Sequence, residues 1–371
     1  MINVGIDGHM LGDHSGGNES YYRNILNTIS VPDNLKIYLF VRPGVNVDEY
    51  KDKFQIVYFK QKKALMRNFW ELNHLCKKYN LKLLHTQYFI PFIRHCKVVC
   101  TIHDICFEHF KDIFTKNEYY RQKILVPYAA KHSEYVFTVS KHAKNDIVNY
   151  YRIPEDKIVI TYNAVNSSFR KISDIELAED TLRNKYQIGQ GKYILSVSNL
   201  QPRKNLVRLI RAFVSMKKDR NSGEKLVIVG KKAWMFNDII QTALEGSTDI
   251  IFTDYVNDND LIRLYNAASC FVYPSYFEGF GIPPLEAMAC GTPVAVANTT
   301  SLPEVVGDAG IYFDPFSEEE IKASMIKMLA ENYVTNDLQI KMEAQVKRFS
   351  WKKSADLVID TYKKCLTKIK N

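Results

Sequence analysis

The sequence lacks the long apolar run that a membrane-spanning helix requires. No segment of its 371 residues approaches the roughly 20 consecutive apolar residues that cross a bilayer. A secretory signal has an apolar core after a basic start. The first residues of this chain include Asp7 and His9 and show no such core. We therefore expect a cytoplasmic protein whose membrane contact, if it makes any, is peripheral and on the inner face of the cell membrane.

The sequence also lacks paired cysteines and the glycine pattern of nicotinamide-binding proteins. None of its seven cysteines has a Cys-x-x-Cys partner, which argues against zinc and redox motifs and favours a reduced chain. The spacing Gly-x-Gly-x-x-Gly is absent. Asp258 and Asp260 have the spacing of a metal-binding acid pair, but they stand just before the helical pattern Leu261–Ala268 and are interpreted as helix caps. We expect neither a metal nor a cofactor.

What the sequence does contain is a regular alternation of candidate strands and helices. Its length suits two domains of ordinary size, and such alternation indicates parallel sheets covered by helices. The polar stretch Asn163–Lys192 holds no convincing strand and is predicted to contain the interdomain linker. The predicted strands are Asn3–Asp7, Lys36–Val41, Leu83–Thr86, Val98–His103, Tyr135–Val139 and Ile158–Tyr162, then Tyr193–Ser198, Lys225–Val229, Ile250–Thr253, Cys270–Tyr273, Val294–Ala297 and Gly310–Phe313.

One segment, residues 275–304, has the features of a ligand site. The apolar run 270–274 that precedes it suits a buried strand. Gly279 and Gly281 then allow the backbone to come close to a ligand, and the proline pair beginning at Pro283 fits the first turn of a helix. The free N–H groups of such a helix, at the carboxyl edge of a sheet, favour bound phosphates and other anions.

Glu278 and Glu286 stand eight positions apart and bracket this glycine-containing turn. Glu286 is expected one turn into the helix, where its carboxylate can accept hydrogen bonds from sugar hydroxyls, and Glu278 precedes the turn on the same side. The alternative is that both are solvated residues that complement the helix dipole. The crowding of glycine, proline and acidic residues in this short segment favours the ligand site.

The segment Glu278–Ala289 resembles the signature of the retaining glycosyltransferases of family 4. Between His103 and Phe169 the chain looks most like the mannosyltransferases of bacterial O-antigen assembly. The resemblance implies an α/β fold of two facing doubly wound Rossmann-like domains (GT-B) with an interdomain cleft. Four further motifs extend it over nearly the whole chain: Thr101–Asp104, Thr138–Ser140, Ser196–Leu206 and Leu302–Gly310.

The resemblance also implies how the chain is divided between the two domains. Residues 1–170 would form an N-terminal, acceptor-side domain, and residues 171–349 a C-terminal domain that binds the sugar nucleotide. In relatives the final helix crosses back to the first domain. Residues 350–371 are therefore assigned to the N-terminal domain.

Binding of the donor's diphosphate is assigned to two basic residues after a predicted strand. By resemblance, Arg203 and Lys204 place two cations on the phosphates and stabilise the leaving group, with charge-assisted bonds of about 1.5–3 kcal/mol each. Many relatives carry an arginine where this chain has Asn199, so the donor contact at Asn199 stays open. Gly16 and Gly17 resemble the loop that approaches the same phosphates, and an ordinary turn is the alternative.

Recognition of the donor's sugars is assigned to the acidic pair and to a histidine. Glu286 resembles the residue that holds the ribose hydroxyls, and Glu278 the catalytic residue that faces the donor sugar. His103 resembles the histidine near the reacting carbon, and a packed residue at a strand end is its alternative. Further candidate donor contacts are the backbone of Gly279, Phe280, Gly281 and Ile282, and Tyr255 and Val256 beside the base.

The implied function is a retaining, metal-independent hexosyltransferase that uses a nucleotide-diphosphate sugar. Its acceptor would be a glycan or lipid-linked glycan of cell-surface polysaccharide, such as the O-antigen of lipopolysaccharide. Mannose from GDP-mannose is the first candidate, and UDP-linked hexoses follow closely. Three alternatives stay open: a synthase of a soluble disaccharide phosphate or glucan, a non-catalytic sugar-nucleotide-binding partner of another transferase, and a sugar-nucleotide epimerase.

Positive charge is concentrated in the predicted N-terminal domain. Residues 1–170 hold 24 Lys and Arg against 16 Asp and Glu, whereas residues 171–349 hold 20 against 23. Such a field attracts anionic phosphates or a membrane surface. No nucleic-acid-binding motif accompanies the charge, so a nucleic-acid partner is not expected.

One basic cluster lies beside two aromatic residues and has two interpretations. The first is a membrane-facing or acceptor-facing patch, and the second is a solvated helix face with its apolar side in the core. The cluster consists of Lys60, Lys62, Lys63 and Arg67, next to Phe69 and Trp70.

Overall fold

The computed structural model describes residues 1–12, 16–177, 179–220, 223–232, 236–246 and 248–367. The chain divides into two compact units: unit 1 is residues 1–163 with 350–371, and unit 2 is residues 164–349. The first boundary therefore precedes the predicted one, which was placed after Arg170. The reason is that Phe169 already packs on Tyr265 of unit 2, with ring centroids 6.0 Å apart, and the Arg170 carbonyl accepts a hydrogen bond from Asn266.

Unit 1 is built on a seven-stranded parallel sheet in the order β3-β2-β1-β4-β5-β6-β7. Six of the seven strands are those predicted from the apolar runs. The seventh, Gln55–Tyr58, was missed because it lies at the edge of the sheet. Its two end residues are exposed and its two middle residues are only half-buried, so it forms no buried apolar run. The strands are β1 Ile2–Asp7, β2 Leu35–Val41, β3 Gln55–Tyr58, β4 Leu83–Gln87, β5 Lys97–Thr101, β6 Val136–Thr138 and β7 Ile158–Ile160.

Helices of unit 1 cover this sheet, and the last of them comes from the C-terminal end of the chain. Tyr362 of that helix is fully buried, and its hydroxyl lies 2.6 Å from Nδ1 of His85 in β4. The predicted return of residues 350–371 to the first domain is seen as far as residue 367; residues 368–371 lie outside the described ranges. The helices are α1 Gly17–Thr28, α2 Ala64–Met66 with a π-helical turn at Arg67–Glu71, α3 Leu72–Lys78, α4 Cys106–His109, α5 Lys116–His132, α6 Lys141–Tyr151 and, from the chain's end, α16 Trp351–Thr367.

Unit 2 repeats the architecture with a six-stranded parallel sheet in the order β10-β9-β8-β11-β12-β13. All six strands were predicted, since each is short, apolar and buried or partly buried. They are β8 Tyr193–Val197, β9 Lys225–Val229, β10 Ile250–Phe252, β11 Cys270–Tyr273, β12 Val294–Ala297 and β13 Gly310–Phe313. The helices are α7 Asp174–Leu177, α8 Glu179–Lys185, α9 Leu206–Arg220, α10 Asn237–Gly246, α11 Asp258–Ala267, α12 Ile282–Ala289, α13 Leu302–Val306, α14 Glu318–Leu329 and α15 Asn336–Arg348.

Each sheet has one point at which the strand order reverses direction. In unit 1 this point lies between β1 and β4, and in unit 2 between β8 and β11. Open parallel sheets bind ligands in the crevice outside the carboxyl ends of the strands at such a reversal. The segments that follow β8 and β11 are therefore the first place to look for a site in unit 2.

Candidate functional site

Two loops at the strand reversal of unit 2 are fastened to each other. The first follows β8 and runs through residues 198–205, and the second follows β11 and runs through residues 274–278. The N–H of Tyr276 donates to the Arg203 carbonyl at 3.0 Å, and the side-chain amide of Asn205 donates to the Pro274 carbonyl at 3.1 Å. Residues some 70 positions apart in the sequence are thus held in contact.

The centre of this contact is an ion cluster of Glu278 with Arg203 and Lys204. Oε1 of Glu278 lies 2.5 Å from Nζ of Lys204, and Oε2 lies 3.1 Å from the Arg203 guanidinium. Ser275 and Tyr273 donate their hydroxyls to Oε1 at 2.6 and 3.0 Å. Four donors therefore hold one carboxylate, and two cations against one anion leave the cluster with a net positive charge.

The cluster is buried, and its electrostatics fix the charge of the carboxyl group. Glu278 is 7% exposed and Lys204 is 8% exposed. Burial raises the pKa of Glu278, but Arg203, Lys204 and the hydrogen bond from Ser275 outweigh it and lower the pKa to about 2. Glu278 is therefore ionised at neutral pH.

The turn after Glu278 leads into α12, as the glycine and proline pattern predicted. Gly281 has φ +91° and precedes the first helical residue, and a Cβ at this position would lie 2.7 Å from Cδ2 of Leu302. Only glycine fits both the backbone angle and the space. The hydroxyl of Ser301 donates to the carbonyls of Glu278 and Phe280 at 2.9 and 2.8 Å, which fixes the turn from the neighbouring loop.

Glu286, one turn into α12, has an environment opposite to that of Glu278. It is half-buried, and its carboxylate accepts one hydrogen bond, from the Tyr265 hydroxyl at 3.0 Å. Removal from water raises the pKa of Glu286, and the negative charge of Asp258 raises it further. The hydrogen bond from Tyr265 lowers it but is outweighed, so the pKa is about 7. Two carboxyl groups on one turn thus differ in charge state near neutral pH.

Several polar residues at this edge were not singled out from the sequence. Ser198 and Gln201 are buried, and neither Oγ of Ser198 nor Oε1 of Gln201 has a hydrogen-bond partner within the residues that the structure describes. Their position directly after β8, in a segment that resembles a phosphate-binding segment, could have marked them as candidate ligand-binding residues. Tyr273 and Ser275 carried no such signal, because an isolated hydroxyl beside a buried strand is common.

The remaining predicted donor contacts of unit 2 differ in how their side chains are placed. Asn199 is exposed at the carboxyl end of β8. Phe280 is 2% exposed and packs edge-on against Phe349 at 5.2 Å between centroids, so its ring is packed inside unit 2. Tyr255 is 62% exposed, with Nζ of Lys231 4.5 Å from its ring centroid, whereas Val256 is buried.

In unit 1 the predicted histidine lies at the corresponding edge of the sheet. β5 ends at Thr101, two residues before His103. The ring of His103 packs edge-on against Tyr21 at 4.9 Å between centroids, and Nε2 is buried without a hydrogen-bond partner in the described part of the chain. Burial lowers its pKa to about 3, so the imidazole is neutral.

The predicted glycine loop of unit 1 leads into α1. Gly16 has φ +75° and stands immediately before the helix, and a Cβ on either Gly16 or Gly17 would meet no atom within 4 Å among the described residues. The three residues before Gly16 lie outside the described ranges.

The acid pair considered as a metal site lies in the first turn of α11. Asn257 is the capping residue, its side chain accepting the Asp260 N–H at 3.0 Å. Asp260 instead forms an ion pair with Lys185 and accepts the Tyr186 hydroxyl at 2.7 Å. Within the described ranges, no group of three or more His, Cys, Asp and Glu side chains is arranged to bind a metal ion.

The helices were also compared with the dimensions of a bilayer. In the part of the chain that the structure covers, none combines the length and the apolar character needed to traverse a membrane.

Two protein-family models match the chain, one mainly in unit 1 and the other within unit 2. The model described as Glycosyltransferase Family 4 matches residues 36–169, and the model described as Glycosyl transferases group 1 matches residues 178–349. The second match contains the whole ion cluster and both glutamates of the turn.

Curated relatives and solved structures agree with the family models. The O-antigen chain mannosyltransferase B of Escherichia coli is 35% identical over 276 residues, which is 72% of this chain and 70% of that protein. The serotype-specific mannosyltransferase WbdA of Escherichia coli is 31% identical over 275 residues, 73% of this chain, and the match spans only 34% of that longer protein. The sucrose-phosphate synthase of Thermosynechococcus elongatus has the same two-domain fold, with a TM-score of 0.76 at 16% identity over 99% of this chain and 100% of that structure.

Proposed function

This chain belongs to the family 4 glycosyltransferases, and on that premise we propose that it transfers a mannosyl residue from GDP-mannose to a glycan or lipid-linked glycan acceptor. The sugar and the acceptor class come from the similarity to mannosyltransferases of O-antigen assembly. The proposed process is the assembly of a cell-surface polysaccharide, with retention of the anomeric configuration.

The observation that carries the proposal is the buried ion cluster of Arg203, Lys204 and Glu278 at the strand reversal of unit 2. We assign the donor's diphosphate to the two cations. Because Glu278 grips both of them, their positions are fixed before the donor binds, and little reorganisation is needed when charge develops on the leaving phosphate. The net positive charge of the cluster favours an anionic ligand.

The second carboxylate fits a different part of the donor. Among the described residues, Glu286 accepts one side-chain hydrogen bond, from Tyr265, so its remaining lone pairs are assigned to two neighbouring hydroxyls of a ribose. An ionised carboxylate accepts such bonds better than a protonated one. Donor binding is therefore expected to favour the ionised form of Glu286.

The environment of Glu278 bears on the choice between two retaining mechanisms. A double displacement needs a carboxylate nucleophile near the sugar carbon, and Glu278, with four donors on its oxygens and a pKa of about 2, is poorly suited to attack. We therefore favour front-face transfer. The bond from the anomeric carbon to the phosphate oxygen breaks, the acceptor oxygen bonds to the same face, and the departing phosphate takes the acceptor's proton.

The predicted roles of unit 1 are kept as part of the proposal. His103 would contact the donor sugar, Gly16 and Gly17 its phosphates, and the unit as a whole would bind the acceptor. The neutral imidazole of His103, with a buried nitrogen lacking a partner in the described chain, can exchange a hydrogen bond with a sugar hydroxyl. A cytoplasmic position on the inner face of the membrane likewise stays a prediction.

The test is a transfer assay with purified protein, GDP-mannose and a synthetic lipid-linked mannoside. We expect a mannosylated product whose new linkage has the anomeric configuration of the donor, established by NMR. UDP-glucose, ADP-glucose and dTDP-linked hexoses serve as competing donors, and glucose 6-phosphate as a competing acceptor. Transfer to the phosphosugar alone would instead support the synthase alternative, and donor turnover without any acceptor would support the epimerase.

A further inference from the structure

Three segments of unit 1 hold many of its exposed apolar side chains. They are residues 60–70, 88–97 and 116–132, which together we call the basic-aromatic surface. Of the sixteen large hydrophobic side chains exposed in the described ranges, seven lie in these segments, and Trp70 and Ile93 are each 67% exposed. Apolar side chains collected in this way mark an interaction site more often than scattered ones do.

Ring contacts join the three segments into one surface. Phe69 stacks on Phe92 with centroids 4.7 Å apart and planes 7° apart, and Phe92 in turn meets Tyr128 of α5 at 4.9 Å. Ile124 and Tyr120 lie four and eight residues before Tyr128 and so share its face of the helix. They are 66% and 57% exposed.

The residues of the three segments carry charge almost entirely of one sign. Two flanking acids offset part of it: Glu71 accepts the backbone N–H groups of Lys60 and Gln61, and Glu108 forms an ion pair with Lys123. The three segments contain ten Lys and Arg residues and a single acidic residue, Glu118. Glu118 is engaged in the cap of α5 through Thr115. Lys60, Lys62 and Lys63 are exposed, whereas Arg67 is buried.

We propose that the basic-aromatic surface docks on a bilayer that contains anionic lipids. Trp70, Ile93 and Ile124 would enter the boundary between head groups and acyl chains, and the lysines would lie among the lipid phosphates. A solvated helix face, the other interpretation of this cluster, would not leave these apolar side chains exposed. Residues 60–66 and 88–97 follow the carboxyl ends of β3 and β4, and His103 lies at the same edge of the sheet. Docking there would bring a lipid-linked acceptor close to His103, and this part of the inference rests on the proposed function. Docking on the bilayer does not depend on it.

The first test is flotation of the whole protein with lipid vesicles on a density gradient. Wild-type protein is expected to float with vesicles of phosphatidylcholine mixed with phosphatidylglycerol and to remain behind with phosphatidylcholine alone. Flotation should weaken as salt rises, because the Debye length falls from about 10 Å at 0.1 M to about 3 Å at 1 M. Absence of flotation with the anionic vesicles overturns the proposal. This result is expected if the surface binds a protein partner instead of a bilayer.

Matched substitutions locate the contact on the molecule. Ile124→Ser is compared with Ile340→Ser, since both isoleucines lie on helices and are 66% exposed, the second in α15 of unit 2. We expect the first to weaken anionic-vesicle binding by about tenfold and the second to leave it unchanged. Lys62→Glu with Lys63→Glu is expected to weaken binding by at least about tenfold, and Lys341→Glu with Lys347→Glu in α15 to have little effect. Equal losses in both members of a pair overturn the assignment.

Tryptophan fluorescence supplies a direct report of insertion. Of the three tryptophans, Trp70 is largely exposed, Trp351 is 8% exposed and Trp234 lies outside the described ranges. Insertion of Trp70 should shift the emission to the blue when anionic vesicles are added. Trp70→Phe should still float but lose most of this shift; a shift that persists in this variant contradicts insertion at Trp70. Thermal stabilisation by GDP, measured on every variant without lipid, separates docking from donor binding. A variant that no longer floats but is still stabilised by GDP supports docking through this surface. Failure of GDP to stabilise the wild-type protein would contradict the proposed function and leave the docking proposal standing.

Discussion

The two units share one topology but differ in what lies at the strand reversal. In unit 2 this edge holds charged groups that satisfy each other, as in the four donors around Glu278. In unit 1 it holds the buried Asp7 carboxylate, paired with the His9 ring, and neutral groups that lack partners within the described chain, among them both amide atoms of Gln87 and Nε2 of His103. The same scaffold therefore presents a pre-arranged pair of cations in unit 2, beside Ser198 and Gln201 atoms that lack partners in the described chain, and mainly neutral hydrogen-bonding groups in unit 1.

The difference matches the two kinds of chemistry that a sugar transfer needs. A diphosphate is recognised by fixed cations, while a sugar is recognised by neutral donors and acceptors. The overall charges run in the opposite sense: unit 1 holds 29 Lys and Arg against 18 Asp and Glu, a net charge of +11, and unit 2 holds 21 against 23, a net charge of −2. The anion site of unit 2 therefore depends on the local positions of Arg203 and Lys204 and not on the net charge of the unit. The excess positive charge of unit 1 is a property of that unit as a whole.

The largest expected effect comes from breaking the charged site of unit 2. Lys204→Met should lower kcat/KM for transfer by about 10²–10³-fold or more, because a buried cation aimed at the leaving phosphate is lost. Lys322→Met, which removes an ion-paired lysine from α14 of the same unit, should leave transfer unchanged. Steady-state kinetics of the two purified variants decide the matter, and near-normal turnover of Lys204→Met refutes the assigned role.

Glu278 requires a substitution that separates catalysis from folding. Glu278→Ala would leave Lys204 buried without its carboxylate, and breaking a buried pair in this way costs about 3–5 kcal/mol of stability. Glu278→Gln keeps the shape and most hydrogen-bonding positions. We expect it to remain folded by circular dichroism, to lose most transfer, and to lose the stability that wild-type protein gains from Glu278 as pH rises from about 2 to above 4.5.

A smaller effect is expected at the edge of the unit 1 sheet where His103 lies. His103→Ala should lower kcat by about tenfold to a hundredfold, the value of a hydrogen bond to a sugar in the transition state. Thermal stabilisation by GDP should be unchanged, since GDP lacks the hexose that His103 is proposed to contact. His74→Ala, an exposed histidine of α3, is the control. Weakened GDP binding in His103→Ala would contradict a role confined to the sugar.

The pH dependence of donor binding separates the two glutamates of unit 2. With a pKa of about 7 instead of the usual 4.5, Glu286 keeps its proton in the folded chain over a range where the unfolded chain has lost it. Stability from this group should therefore fall as pH rises from about 4.5 to about 7, while GDP-mannose affinity should rise as pH passes through about 7. Glu286→Gln should abolish both trends. Calorimetry from pH 6 to about 8 checks this, and an unaltered pH trend in the variant contradicts the ribose assignment.

The smallest effect is expected at the acid pair of α11. Asp258→Asn and treatment with EDTA should each leave the transfer rate unchanged, because the neighbouring Asp260 is already occupied by Lys185 and Tyr186. Kinetics with and without added Mg²⁺ provide the measurement. A rate that falls with EDTA and returns with Mg²⁺ would overturn the assignment of these acids to local structure.

The sequence predicted the layered fold well because buried parallel strands are short apolar runs. It missed β3, whose edge position removes that signal, and it placed the boundary after Arg170 because the contact of Phe169 with Tyr265 has no local signature. The acidic turn and the basic pair were both recognised, but their direct ion pairs were not. Sequence spacing carries no distance between residues 74 positions apart, such as Lys204 and Glu278. The hydroxyls of Tyr273 and Ser275, which complete the cluster, were missed because an isolated hydroxyl beside a buried strand is common.

The central claim is that Arg203 and Lys204, held in place by Glu278, bind the diphosphate of a nucleotide sugar. Isothermal titration calorimetry of wild-type protein and Lys204→Met with GDP-mannose tests it most directly. We predict saturable binding to the wild type and binding at least about tenfold weaker in the variant, the loss of one charge-assisted hydrogen bond. Equal affinity in the two proteins, or no heat with any of the GDP-, UDP-, ADP- and dTDP-linked hexoses, would contradict the claim.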